Sequence, residues 1–138
     1  MDKETIVKLN KSFEESAYEQ DGVEYWLARE LQELLGYSDW RNFLNAVDKA
    51  KESCKTTGEA VLDHFVDVTK MVKIGSGAER KKDDIMLTRY ACYLIAQNGD
   101  PRKNKSLLHK ATLQFKHESK SFLKNEFVSM SGYRLVKN

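Results

Sequence analysis

Side chains able to do covalent chemistry are scarce in this 138-residue chain. Residues 1–103 contain one histidine, His64, in the run Leu62-Asp63-His64-Phe65, and the two cysteines, Cys54 and Cys92. An imidazole beside a thiol makes a nucleophile–base pair, so Cys92 with His64 is the one catalytic pairing on offer. A single cysteine and histidine in a stretch this long also arise readily by chance, and a structural role is the expected one for both. No Cys/His pair has the spacing of a zinc site, so neither a metal nor a cofactor is expected. The stretch Gly75-Ser76-Gly77-Ala78-Glu79-Arg80-Lys81 has glycines ahead of cations. It lacks the glycine–lysine–serine ending and strand-to-helix context of a phosphate loop, and reads as a hairpin turn. The chain is expected not to be an enzyme.

The chemistry better represented is charge neutralisation. Lys70, Lys73, Arg80, Lys81 and Lys82 crowd around the Gly75–Gly77 turn, enough to neutralise several phosphates if the turn lies over a nucleic acid. Two short helical patterns joined by Gly36-Tyr37-Ser38 resemble a helix-turn-helix, whose second helix enters the major groove. That second helix offers Arg41, Asn42, Asn45 and Lys49, but also Asp39, Asp48 and Glu52, which repel phosphates. Both features have blander readings, as a packing unit and a solvated turn. The contact residues expected are Arg41 and Asn45 on the helix with Lys73, Arg80, Lys81 and Lys82 on the hairpin, positioning phosphates with limited base readout.

These side chains need elements to hold them. Ile6, Leu9, Phe13 and Ala17 recur at helical spacing, ending before the turn signal Asp21-Gly22. Val23 and Tyr25 alternate with polar neighbours as in a short strand. Leu27, Leu31, Leu34 and Leu35 form one helical stripe, with Gly36 at the C-cap position. Ser38 is the expected N-cap of the next helix, whose stripe is Trp40, Phe43, Leu44 and Val47, reaching Cys54 before Thr56-Thr57-Gly58. Phe65 to Ile74 is rich in β-branched residues, and Ile85-Met86-Leu87 follows the polar stretch after the glycines, predicting a β-hairpin. Leu87, Tyr90, Ala91, Leu94 and Ile95 fit a last helix, with Thr88 as N-cap, Gly99 as C-cap and Pro101 just beyond. The fold class predicted is α+β, mostly helical, one domain with a small β-hairpin sheet. Trp26, Leu31, Leu35, Trp40, Phe43 and Leu94 are expected in the core.

One domain suits the length. With 32% charged residues, no apolar run near the ~18 needed to cross a bilayer and a charged N-terminus, a soluble cytoplasmic protein with reduced thiols is expected. The net charge of +2 hides an asymmetry. Residues 1–103 carry three more acids than bases, and residues 104–138 carry five more bases than acids. Such a tail ordinarily reads as a nucleic-acid-binding extension.

The segments GVEYWLARELQELLGYSDWRNFLNAVDKAKESC, DHFVDVTKMVKIGSG and RYACYLIAQNGDPRK resemble the DNA-damage-inducible protein D family, whose N-terminal part looks like the Bro-N domain of viral Bro proteins and phage antirepressors. The resemblance runs in order from about Phe13 to Lys103 and is carried by Tyr25-Trp26, Ala28-Arg29-Glu30, Leu34-Leu35-Gly36-Tyr37, Trp40 and Arg89 to Arg102. It implies a non-enzymatic, DNA-associated protein of the bacterial damage (SOS) response, and longer relatives with a second, mostly helical region. Arg29 and Arg89 match the family text and are equally readable as salt-bridge partners. The division expected is a Bro-N-like domain over residues 1–103 and a basic tail over 104–138.

The tail itself departs from the family, which continues here with text like AQ-x-YFAVQTRKQEL. Back-translation of the tail, read from the third base of the Lys105 codon, permits IAFAQSYFAVQTRKQEL. Phe115-Lys116-His117-Glu118 supplies VQTR across codon boundaries, and Ser119-Lys120-Ser121-Phe122 supplies KQEL. A one-base deletion near Lys105 yields this relationship, predicting an out-of-frame tail on a truncated product whose charge was not selected for nucleic acid. The alternative is a divergent basic tail. Leu107, Leu108, Leu113, Phe115 and Phe122 could still build a helix. Loss of the family helix forfeits several burials of roughly 1.5–3 kcal/mol each, against a total stability of about 5–15 kcal/mol, predicting a marginal fold. The partner expected is DNA, single- or double-stranded. The second reading is a module acting on a recombinase filament or a repressor without touching DNA; no membrane association is expected.

Overall fold

The computed structural model describes residues 13–20, 22–99 and 134–135. Expectations for Ile6, Leu9, Asp21, Pro101 and the apolar residues of the tail lie outside this set. In chain order the elements are β1 (Tyr18–Gln20), β2 (Val23–Leu27), α1 (Ala28–Leu34), α2 (Trp40–Thr56), a 3-10 turn (Val61–Asp63), β3 (Phe65–Lys73), β4 (Glu79–Leu87), α3 (Arg89–Asn98) and β5 (Arg134–Leu135). Residues 13–15, before β1, are helical. The strands form one antiparallel sheet in the order β1-β2-β4-β3-β5. The α+β class stands, with a sheet larger than the hairpin expected.

Two strands were not read from the sequence. Tyr18–Gln20 pairs antiparallel with Val23–Tyr25, and the Tyr18 and Tyr25 rings stack at 5.2 Å. Ala17 therefore sits just past the helical residues rather than on the helix, although it still packs against the core. Arg134 and Leu135, in the tail, pair with Thr69 and Val68 at the outer edge of β3.

The central hairpin explains why its sequence alternates only in part. Register runs unbroken from Phe65↔Leu87 to Lys73↔Glu79, so opposed residues share a face. At its base both faces are buried. Phe65, Ile85 and Leu87, with Trp26 of β2, face the helices, while Val66, Val68 and Met86 join Tyr25 and Leu27 in a second buried cluster. At its tip both faces are exposed, so the polar run Glu79–Asp83, expected as connection, is strand. The turn closes with Gly77 N–H donating to the Ile74 carbonyl and Ile74 N–H to the Ala78 carbonyl, both at 2.9 Å. Gly77 takes a left-handed φ of 86° there, the conformation that a three-residue hairpin loop requires of its last member.

Each helix end has an identifiable cause. At the C-terminus of α1, Gly36 (φ 80°) lets its N–H reach the Glu33 carbonyl and the Tyr37 N–H reach the Gln32 carbonyl, a Schellman closure. At its N-terminus Leu27 has no capping side chain, and Asp84 of β4 substitutes, accepting from the Arg29 and Ile85 N–H groups at 3.1 and 2.8 Å. Helix α2 is capped by Asp39, which accepts from Arg41 N–H at 2.9 Å, and not by Ser38. The helix starts one residue later than expected, and a carboxylate also complements the helix dipole. Thr88 caps α3 as expected, accepting from Ala91 N–H.

The core lies between the sheet and the three helices. Trp26, Leu31, Leu35, Phe43 and Leu94 are all buried in it, with Trp40 half-buried at its margin. Phe13 stacks on Trp26 at 4.5 Å and accepts its indole N–H at 2.8 Å. Gly99 is required for room rather than for its backbone angle. A Cβ there meets the Tyr37 hydroxyl at 2.6 Å and the Ile95 carbonyl at 3.1 Å. Gly99→Ala is therefore expected to lower stability by about 1–3 kcal/mol, the usual cost of overpacking, in urea titrations. Tyr37→Phe should relieve much of the loss in the double variant.

Candidate nucleic-acid interface

The catalytic pairing considered from sequence is not assembled. Cys92 is fully buried, and burial pushes its thiol well above the ordinary range; Cys54 is also buried and raised by burial. His64 pairs instead with Thr88, Nδ1 to Oγ1 at 2.8 Å, with Nε2 3.6 Å from a Glu59 carboxylate oxygen. Hydroxyl, imidazole and carboxylate thus stand in the order of a hydrolytic triad. Thr88, however, is 1% exposed and its oxygen already serves as the α3 cap, leaving no place for an electrophile. Among the described residues no cluster of His, Cys, Asp and Glu could hold a metal.

His64 gives the fold a pH dependence. Burial lowers its pKa below the ordinary 6.5, outweighing the opposing pull of Glu59 and Asp63. The unfolded chain takes up the proton near 6.5 while the folded chain resists it. Stability is thus full above about pH 6.5 and falls as pH drops through the window below. Urea midpoints at pH 7.5 and pH 5 should differ in that direction, and His64→Gln should reduce the difference.

The two arginines left ambiguous by the sequence separate cleanly. Arg89, the first residue of α3, is buried between carboxylates. It donates to both oxygens of Glu14 at 2.7 and 2.9 Å and of Glu24 at 2.7 and 3.0 Å. Burial opposes its charge, but those two carboxylates together outweigh the burial and hold its pKa above the ordinary value. It is a structural clamp. Arg29, in the first turn of α1, goes the other way. Its guanidinium lies 4.2 Å over the Trp40 ring, and its Nε–H donates to the Asp83 carbonyl on β4 at 2.6 Å.

Arg29 therefore joins the start of α2 to the hairpin. Beside it lies an open groove of about 380 Å³ lined by Arg29, Arg80, Lys81 and Lys82, of which Arg80 and Lys82 share the strand face of Val72 and Lys81 belongs to the opposite face. Asp83, whose backbone carbonyl accepts from Arg29, also lines it, and Val72 and Ile74 are its apolar wall. Three of the six residues expected to contact nucleic acid thus line the groove, two of them, Arg80 and Lys82, from one face of β4. Lys73 is exposed on β3 opposite Glu79 and does not line the groove. Arg41 and Asn45 are exposed one turn apart on α2, outside it, with Arg41 next to the Trp40 on which Arg29 rests. The sequence reading missed Arg29, Val72 and Ile74 as groove residues. Arg29 reaches β4 only because Leu27 pairs with Met86, carrying the following residues along the β4 edge, and no local spacing encodes that.

The chain matches the BRO family, N-terminal domain, over residues 16–125, and it belongs to that family. The match extends past Lys103. Among curated relatives it is similar to the DNA damage-inducible protein D of Escherichia coli (strain K12), with 53% identity over 83 residues. That alignment covers 60% of this chain and 30% of the relative, so the chain spans under a third of that protein's length. No solved structure matches significantly. Among the described residues no helix is long and apolar enough to cross a membrane.

Proposed function

We propose that this chain is a non-enzymatic, cytoplasmic, DNA-associated module of the bacterial DNA-damage response, contacting DNA through the α1–α2 pair and the basic hairpin. The observation that carries this reading is a groove lined by Arg29, Arg80, Lys81 and Lys82, with Arg80 and Lys82 on one face of β4, joined to the Arg41 end of α2 through the Arg29–Trp40 stack. Family membership and the relative's name supply the damage-response context. Cations held this way position phosphates; base readout is left to Arg41 and Asn45. The tail beyond about Lys105 is read here as out of frame and not selected for binding, an idea that an uninterrupted gene with no family-like alternative frame would sink.

The test is fluorescence anisotropy with the full chain on labelled DNA across a salt series. Log affinity should fall linearly with log salt. Substituting Lys116 and Lys120 of the tail by glutamine should change affinity little, whereas changes at Lys81 and Lys82 should change it greatly. The opposite ranking would assign binding to the tail. A second reading, in which the module acts on a recombinase filament or a repressor, is favoured by the net acidity of residues 1–103. It predicts salt-insensitive or absent DNA binding by a folded chain.

A further inference from the structure

We infer that the outer edge of β3, from Lys70 to Lys73, takes up an extended acidic segment of another protein as an added antiparallel strand. The segment sets an acid-apolar-apolar-acid run against those four residues. This partner is separate from DNA and does not depend on DNA binding. Three observations carry the inference.

The first is the direction of the main-chain groups. Ile74 N–H donates to the Ala78 carbonyl at the hairpin tip, and Thr88 N–H donates to the His64 carbonyl at its base. Bonding partners alternate along an antiparallel strand, so Val68, Lys70 and Val72 bond to β4, while Met71 and Lys73 turn their N–H and C=O outward. Among the described residues β5 pairs only with Val68 and Thr69 and does not reach that stretch. Outward donors and acceptors at a sheet edge are a template for another strand. Phosphates can accept from the N–H groups but offer nothing to the carbonyls.

The second is that this edge already accepts a strand. Arg134 and Leu135 belong to the tail read above as out of frame, yet they pair with Thr69 and Val68. Main-chain bonding therefore suffices to seat a segment on β3, and side chains decide which segment stays.

The third is the side-chain pattern along the edge. Lys70 and Val72 share one face of β3, and Met71 and Lys73 share the other. Across the hairpin stand Lys82 and Arg80 on the first face, and Lys81 and Glu79 on the second. Lys70, Met71 and Lys73 are exposed, Met71 by 44%, an unusual setting for a large apolar side chain. Opposite charges paired across strands are favourable and like charges unfavourable. Acids therefore belong opposite Lys70 and Lys73, and apolar side chains opposite Met71 and Val72. A second copy of this chain fails that test. Antiparallel self-pairing of Lys70–Lys73 sets each lysine against a lysine, which is how edge lysines guard against self-association.

The experiment measures the anisotropy of a labelled peptide, Ser-Glu-Val-Val-Glu-Ser, with the full chain. It should bind about tenfold more tightly than Ser-Val-Glu-Glu-Val-Ser, which has the same composition and charge in the wrong order. Antiparallel, like β5, the first peptide sets its second valine against Met71. Proline at that valine removes the N–H offered to the Met71 carbonyl and should cost about tenfold. Met71→Pro removes the outward N–H of the protein without touching the β4 ladder, a position where edge strands tolerate proline, and should cost a similar factor. If circular dichroism shows that this variant does not fold, the proline peptide tests the pairing from the other side. Equal binding of the two peptide orders, or of the proline peptide and its parent, overturns the inference, because charge alone then holds the ligand. No peptide binding by the folded chain also overturns it and leaves the DNA titrations standing. A dimer in sedimentation equilibrium that Met71→Pro dissolves overturns it too, by giving the edge to a second copy.

Discussion

Arg89→Ala should destabilise the domain by about 3 kcal/mol, near the lower end of what breaking a buried ion pair costs. Arg89 is 5% exposed, and its guanidinium makes four hydrogen bonds to two carboxylates from different parts of the chain. Removing it leaves Glu14 and Glu24 facing one another over an apolar void against Trp26 and Phe13, whose rings its guanidinium covers at 4.9 and 5.6 Å. Both glutamates are partly exposed, so water screens their repulsion and keeps the loss from the top of the range. Lysine is not an adequate replacement. It keeps the charge but cannot present the planar fork that serves both carboxylates, and about half the loss should remain. Urea unfolding followed by circular dichroism measures both variants. A midpoint for Arg89→Ala equal to that of the unmodified chain would show that the clamp contributes nothing. Glu14 lies in the helical residues ahead of β1, so tryptophan emission from Trp26, which donates to the Phe13 carbonyl, should shift before global unfolding.

Reversing charge at the groove should separate binding from stability. Lys81→Glu/Lys82→Glu removes two phosphate partners, and the salt slope should become shallower by about two. Affinity at low salt should drop about a hundredfold, since each position changes from attraction to repulsion. The fold should not suffer. Lys82 stands directly opposite Lys70 across the hairpin and Lys81 opposite Met71. Like charges directly opposed are unfavourable by roughly 0.2–1 kcal/mol, and opposite charges favourable by a similar amount. The variant should therefore melt at or slightly above the midpoint of the parent while binding far less DNA. Arg41→Glu, on α2 outside the groove, should lower the slope by about one and weaken binding less. Equal binding by the reversed variant and its parent would remove the hairpin from the interface.

A hairpin whose opposed lysines oppose its own pairing is a local conflict of the kind that functional sites retain. The register makes this visible: the base of the hairpin is buried on both faces, and the tip has cations where a structural strand would alternate charge. The same register explains why the tip looked like a loop. Polar residues on both faces leave no period of two, and only the ladder running out from Phe65 and Leu87 keeps the strands paired.

The sequence by itself determined the three helices α1, α2 and α3 and some of their ends. The stripes of α1, α2 and α3, the glycine closing α1, the Thr88 cap and most of the core are matters of spacing and local hydrogen bonding, which operate within a few residues. The class of fold followed from them, and so did three of the groove's four cations, because Arg80, Lys81 and Lys82 are consecutive. Only the tertiary structure decided the rest. Asp84 caps α1 from another strand, Arg89 is a clamp because Glu14 and Glu24 converge on it, and Arg29 joins the groove because β2 ends beside β4. Each depends on residues more than fifty positions apart brought together by sheet pairing, and side-chain periodicity carries no information over that distance.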